Sequence, residues 1–307
     1  MDSHNDLNPA VSVAMCTYNG ATYIGQQLES IFTQSYPNIA EIVCVDDGST
    51  DNTIAVLEQY QKQDSRIRIV QNTSNLGYIK NFEKALTLAT SPFIALADQD
   101  DIWYPKKVEK LMATIGNRLM VYSDTEYIDE ENRKLGKKIS DFRKLGECYS
   151  CLNLALFNGI SGHTMIVRKE LVQQAIPFSL DVPHDYWMAF FAGKYGSIAF
   201  VDEALVGYRQ HTNNALGGIG TGGKKIADPY IEPFNRITAF ANSLDNQFIE
   251  EKRIIEELAD TFHDITFRKR FKKVRLFLKY REPLLFFKKR NKFRKLFYCF
   301  KMFWRVI

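Results

Sequence analysis

No run of apolar residues in this 307-residue chain approaches the roughly 20 that a helix needs to cross a bilayer. The opening MDSHNDLNPAVSVAMC also lacks a basic stretch followed by an apolar one, so the chain is expected not to be exported. Cysteine is scarce and odd in number: Cys16, Cys44, Cys148, Cys151 and Cys299 form no regular framework, as expected of reduced thiols in a cytoplasm. Cys148 and Cys151 have C-x-x-C spacing, but no second pair or nearby histidine completes a zinc site. A phosphate-gripping loop is missing too. TYNGATYIGQQL, after the first apolar run, has no lysine, and GGIGTGG at 217–223 lacks a strand-to-helix setting and a Lys-Ser/Thr ending, so it reads as a lid or hinge. Acids nearly vanish from 263–307, where Asp264 and Glu282 face 16 of the 40 Lys and Arg. That segment carries a net +14, and the other 262 residues, with 24 basic and 34 acidic side chains, carry −10. A basic appendage for an anionic surface, on a body with a different task, is the inference.

An apolar content of 45% supports a substantial core, and the body shows strand and helix patterns in alternation. Val11 to Cys16, Glu41 to Val45, Ile67 to Val70 and Phe93 to Ala97 read as strands. Gly20 to Gln34, Thr50 to Gln61 and Tyr78 to Leu88 have helical spacing between them. Such alternation implies parallel pairing through right-handed crossovers, so the predicted fold class is α/β, a doubly wound sheet with helices on both faces. Further on, Val108 to Ile115 and Tyr186 to Lys194 read as helices, and Leu119 to Ser123, Ile160 to Val167 and Ser197 to Val201 as strands. Asp129 to Leu154 resists assignment, and after Pro229 the chain is helical to about Phe262. The expected division is a catalytic domain over 9–225 and a helical region over 226–307.

Chemistry gathers at the predicted strand ends. Asp98-Gln99-Asp100-Asp101 follows the apolar run from Phe93 to Ala97, delivering three carboxylates to the edge where open α/β sheets bind ligands. Such a cluster suits Mg²⁺ or Mn²⁺ shared with a substrate phosphate, although an isolated Asp-x-Asp also serves as a polar loop with a helix cap. Thr17-Tyr18-Asn19-Gly20 and Asp46-Asp47-Gly48-Ser49-Thr50 would open on the same edge, where a carboxylate can accept the ring N–H of a uracil or thymine. His184-Asp185-Tyr186-Trp187 sets a carboxylate at a helix start beside aromatics, suiting either a simple cap or a general base facing a sugar. His211, in YRQHTNN, joins the list of polar candidates.

VSVAMCTYNG, VDDGSTDNT, LADQDD and HDYW, in this order between Val11 and Asn214, resemble glycosyltransferase family 2, the inverting nucleotide-sugar transferases of GT-A fold. The resemblance implies donor contacts from Thr17, Tyr18, Asn19, Asp47, Asp98 and Gln99, with Asp47 on the base. It implies Asp98, Asp100 and His211 around a divalent metal and Asp185 as the base that deprotonates the acceptor, with His184, Tyr186 and Trp187 facing that acceptor. Lys80 stands in NLGYIKN, which lacks the Arg-Asn pair of relatives, and is the donor contact this segment offers. HDYW with YRQH resembles bacterial rhamnosyltransferase-type members, implying dTDP-rhamnose, with UDP-hexoses as the alternative. The implied acceptor is a lipid-linked cell-surface glycan.

Two rival classes remain in view. A metal-dependent nucleotidyltransferase would share the acidic pair but needs the missing Gly- and Lys-rich loop. A scaffold without chemistry would have no use for Asp47, Asp98, Asp100 and Asp185 together. The basic segment interleaves Phe267, Phe271, Phe277, Tyr280, Phe286, Phe287, Phe293, Phe297, Phe300, Phe303 and Trp304 with cations, the pattern of an interfacial helix on an anionic membrane surface. Single-stranded nucleic acid and simple packing on the body are the competing readings; no nucleic-acid partner is expected. The resulting expectation is a cytoplasmic enzyme attached peripherally to the inner face of the cell membrane.

Overall fold

A computed structural model describes residues 8–211, 231–263 and 266–304. Thr212, Asn213, Asn214 and the glycine-rich 217–223 lie outside the described residues.

Val11–Thr17 (β1), Ile39–Asp46 (β2), Ile67–Gln71 (β3) and Phe93–Asp98 (β4) alternate with helices Ile24–Phe32 (α1), Thr53–Gln63 (α2) and Tyr78–Leu88 (α3), as the periodicity predicts. The four strands pair in parallel in the order β3-β2-β1-β4. Successive strand side chains point to opposite faces, and both faces are covered. Val13, Met15, Ile42, Cys44 and Ala95 pack with Leu28 and Ile31 of α1, while Ala14, Val43, Val45, Ile94 and Leu96 pack with Phe82 and Leu86 of α3.

The second half is less regular. Ile102–Trp103 (β5), Lys107–Ile115 (α4), Met120–Ile128 (β6), Lys134–Lys138 (β7) and Ile139–Phe142 (α5) precede Met165–Arg168 (β8), Lys169–Ala175 (α6), His184–Lys194 (α7) and Ile198–Arg209 (β9). The sheet continues β4-β8-β6-β9-β5 with β7 beside β6. Strand β8 runs antiparallel to both neighbours, β6 and β9 pair in parallel, and the whole is a mixed α/β sheet. The strand expected from Ile160 starts only at Met165, because Gly162–Thr164 forms a 3-10 turn. That turn carries two of the site's residues.

Ile231–Asn242 (α8), Ile249–His263 (α9), Phe267–Lys279 (α10), Arg281–Leu284 (α11) and Lys292–Lys301 (α12) complete the described chain. Phe240 of α8 stacks on Phe190 of α7 at 4.0 Å, and Leu258, Phe277, Leu285, Phe287 and Tyr298 join the same apolar cluster. The basic segment is therefore packed on the body along one face. Among the described residues no helix is long and apolar enough to cross a membrane.

Candidate active site

The parallel strands end level. Cys16 of β1 is paired with Val45 on one side and Asp98 on the other, and Thr17 is paired with Asp46, so the loops after β1, β2 and β4 share one edge. Asp46 is a brace for that edge. Its carboxylate accepts from the Thr17 hydroxyl at 2.8 Å and from the N–H groups of Gly48 and Ser49 at 3.1 and 2.8 Å. Asn19 sits in the left-handed region, with φ 49°; its N–H donates to Ser49 Oγ at 2.9 Å and its Oδ1 accepts from Thr50 N–H at 2.8 Å. Thr17 and Asn19 thus bind the first two loops to each other. Tyr18 leaves its ring 48% exposed while its backbone exchanges two hydrogen bonds with the Gln99 amide, at 2.9 and 3.0 Å. This clasp ties the first loop to the acidic cluster.

Asp47 is buried, at 3% exposure, and accepts from Asn72 Nδ2, Leu76 N–H and Gly77 N–H at 2.8, 2.7 and 2.9 Å. A carboxylate offers about four lone-pair directions, so three donors leave one for a ligand N–H. Lys80 does not point there by default. Its ammonium bridges Glu83 at 2.9 Å and the Phe178 carbonyl at 3.1 Å, linking α3 to the loop before α7. Lys80 is thus held as a strut between Glu83 and that carbonyl.

Beneath Asp98 lies a group the sequence reading missed. Nδ1 of His163, on the 3-10 turn, stands 3.3 Å from Oδ2 of both Asp98 and Asp101. Lys107, fully buried at the start of α4, donates to the His163 carbonyl at 2.7 Å and lies 3.3 Å from the centroid of the Trp103 ring. Burial works against charge on Asp98, but the His163 imidazole bonded to it holds its pKa below the ordinary carboxylate value. Asp101 has no exposure, and burial pushes its pKa up to about 8 despite His163. Burial likewise drives Lys107 well below the usual lysine value, opposed by Asp101 and Asp98. Nothing in the sequence marks Lys107 as buried, for KKVEKL reads as a solvated helix start.

Asp100 faces the other way. Its Oδ2 is 2.9 Å from His211 Nε2, and His211 packs on Tyr23 with ring centroids 5.0 Å apart. Arg209, fully buried, orients this pair: Nε donates to the Asp100 carbonyl at 2.8 Å, the backbone N–H to Asp101 Oδ1 at 3.1 Å, and the guanidinium to the Glu130 carbonyl and Gln26. Asp100 and His211 form a carboxylate–imidazole pair of donor types that suit Mg²⁺ or Mn²⁺, while Asp98 stands apart from this pair, bonded to His163. Asp98, Asp101 and His163 also lie close enough to ligate, within 4.8 Å of one another. Burial and the adjacent Lys107 make that second set a charge-balanced support rather than an open ion site.

Asp185 stands in the first turn of α7, where its carboxylate accepts its neighbour's N–H, from Tyr186, at 2.6 Å. Burial raises its pKa above the ordinary value; His184 opposes the rise, and Asp98, close enough to act electrostatically, adds to it. His184 lies face to face on Phe82 at 3.8 Å, and burial lowers its pKa, so the ring is neutral. A Cβ at Gly162 would come within 2.9 Å of His184 Nε2 and 3.5 Å of Asp185 Cβ, so the glycine lets the His163 turn abut the start of α7. Tyr186 and Trp187 depart from the expected acceptor wall. Both are buried; Trp187 donates its indole N–H to the Ala175 carbonyl at 2.8 Å, and both rings pack on Phe240. At helical spacing, side chains adjacent to Asp185 necessarily turn toward other neighbours.

The sheet is of GT-A type, with carboxylates brought to one edge by the ends of β2 and β4, the class of fold in which sugar-nucleotide transferases are found. Residues 12–175 match the sequence family described as glycosyl transferase family 2. The chain is 39% identical over 231 residues to a putative teichuronic acid biosynthesis glycosyltransferase, TuaG, of Bacillus subtilis, covering 73% of this chain and 88% of that protein. It is 30% identical over 213 residues to the dTDP-rhamnosyl transferase RfbG of Shigella flexneri, covering 66% and 73%. In fold it is similar to S. aureus TarS 1-349, crystallised in complex with UDP-GlcNAc, with a TM-score of 0.60 at 19% identity over 90% of this chain and 81% of that one. The chain belongs to glycosyltransferase family 2.

Proposed function

We propose that this glycosyltransferase moves a sugar, with inversion, from a nucleotide-diphosphate donor to a hydroxyl of a growing, lipid-linked bacterial cell-surface polysaccharide such as an O antigen or capsule. dTDP-rhamnose is the preferred donor, supported by the likeness to RfbG and by the HDYW and YRQH segments; a UDP-hexose is the alternative. In this reading Asp47 receives the base N–H, the clasped loops of Thr17, Tyr18, Asn19 and Gln99 cradle the nucleoside, and Asp98 meets the ribose and diphosphate. Asp98, Asp100 and His211 would hold Mg²⁺ or Mn²⁺, which when bound neutralises charge on the departing diphosphate. Asp185 takes the proton of the acceptor hydroxyl as that oxygen attacks the anomeric carbon from the face opposite the diphosphate. A single displacement inverts the centre. His184, neutral and stacked on Phe82, walls the acceptor side next to Asp185.

The observation that carries this reading is Asp185: a carboxylate with a pKa raised by burial, at the start of α7 against the turn that carries His163 to Asp98, and within electrostatic reach of Asp98. We further propose that the enzyme works at the cytoplasmic leaflet of the cell membrane, where a lipid-linked acceptor would lie, and that residues 9–225 form the catalytic unit with 226–307 as a helical appendage. Proton NMR of donor and product tests the chemistry. A product with the anomeric configuration opposite to that of the donor used is expected; the same configuration in both would overturn a single displacement with Asp185 as base.

A further inference from the structure

The face of the basic segment turned away from the body has an unusual composition. On and just beyond α12, Phe293, Phe297, Phe300 and Trp304 follow at intervals of four, three and four, and are 67%, 54%, 53% and 78% exposed. The opposite side of the same helix buries Tyr298, Cys299 and Met302. On α10, Phe267 and Phe271 begin a second stripe with the same spacing, 67% and 56% exposed, continued by Val274 and Leu278. Phe303 joins the two: its ring meets Phe267, Phe271 and Trp304 edge to face at 5.3, 5.1 and 4.7 Å. Between the helices runs an apolar cleft of about 930 Å³ lined by Phe271, Leu278, Phe300 and Trp304. Arg275 and Lys279 line this cleft and also a neighbouring one of about 780 Å³ on the other side of α10, where Arg268, Lys269 and Lys272 stand.

We infer that the paired stripes of α10 and α12 are a membrane-docking face that inserts its aromatics into the interface of an anionic bilayer while the flanking cations meet lipid headgroups. A contiguous exposed aromatic patch of this kind marks an interaction surface, and its chemistry selects the occupant. A second copy of the chain would bring one strongly cationic segment against another, since 263–307 carries a net +14. An anionic lipid surface supplies the opposite charge and an apolar layer at once, so burial of the rings and attraction of the cations act together. The segment that carries this face also packs near the start of α7. Phe287, between α11 and α12, lies so close to Gly159 that a Cβ there would fall 2.4 Å from its ring, and Gly159 is three residues from Gly162 beside Asp185. The inference deepens the proposal that the enzyme acts at a membrane and needs no assumption about the donor sugar.

The protein carries its own probe. Of its three tryptophans, Trp103 and Trp187 are buried at 1% and 5% exposure, so an emission change on adding vesicles reports Trp304. With full-length protein and phosphatidylcholine vesicles containing phosphatidylglycerol, we expect co-flotation and a blue shift, and binding weaker by about tenfold or more without the anionic lipid. Trp304→Phe should abolish the shift while keeping flotation, and Phe271→Ser with Phe300→Ser should lose flotation while thermal unfolding and binding of free nucleotide persist. Equal binding to neutral vesicles, absence of a shift, undiminished flotation of the serine variant, or binding of single-stranded RNA in preference to vesicles would each overturn the inference. No sugar transfer enters these readouts, so they fail independently of the proposed reaction.

Discussion

At the scale of single residues, the site separates the groups that act from the groups that hold them. Asp185 is the acting base in the proposed reaction, and Asp185→Asn is expected to cut kcat by roughly 10²-fold or more while leaving the donor dissociation constant unchanged. Steady-state kinetics with a nucleotide-binding assay checks this, and unimpaired turnover would move the base elsewhere. Its pH dependence follows from the direction of its shift. A base works only when deprotonated, burial raises this carboxyl above 3.8, and so kcat/KM should fall as pH drops through a midpoint higher than that of an ordinary aspartate. Asp100 and His211 form the contact that a divalent ion would share. Asp100→Ala or His211→Ala should weaken metal-dependent nucleotide binding by about 1 to 3 kcal/mol, the usual range for losing a charged ligand contact, read by titration calorimetry with and without Mn²⁺.

At the scale of elements, the site depends on how turns abut. The 3-10 turn at Gly162–Thr164 carries His163 under Asp98 and Gly162 against His184 and Asp185. Gly162→Ala places a Cβ inside contact distance of the His184 ring, which is itself fixed on Phe82. Expected is a fall in kcat of about tenfold with donor binding preserved, because misplacing a base costs turnover before it costs affinity. Lys107 tests the support beneath. Removing its amine in Lys107→Met leaves the buried His163 carbonyl without its donor and Asp101 and Asp98 without their neighbouring cationic group, and should cost about 1 to 3 kcal/mol in urea unfolding. These elements mark where reading the sequence stopped. The parallel half and the acidic strand ends were legible because strand and helix periods are strong where both sheet faces are covered. His163, Lys107 and the burial of Tyr186 and Trp187 were not, because they depend on β8 running antiparallel between β4 and β6, a pairing no local pattern encodes. The Lys80 strut is illegible for a similar reason: Phe178, its carbonyl partner, is far away in sequence.

At the scale of the whole molecule, charge and aromatic residues are distributed by task. The body, net −10, sets Asp46, Asp47, Asp98, Asp100 and Asp101 at one sheet edge, whereas the last helices, in a segment of net +14, turn six large aromatic rings outward. Burial bears on the competing readings of the basic segment: one face packs on the body through Phe277, Leu285 and Tyr298, and the other carries the exposed rings that the proposed membrane docking uses. The central claim, that the sheet edge is a metal-assisted nucleotide-sugar site, is tested most directly by thermal unfolding of the full chain with UDP, dTDP and their sugars. A ligand that binds only the native state raises the melting temperature, by an amount equivalent to about 2.7 kcal/mol when its concentration is a hundred times Kd. The account predicts a Mn²⁺- or Mg²⁺-dependent rise with at least one of these nucleotides, retained in Asp185→Asn and clearly reduced in Asp100→Ala. A rise of equal size in Asp100→Ala, or none with any nucleotide in the wild-type protein with metal present, would contradict it.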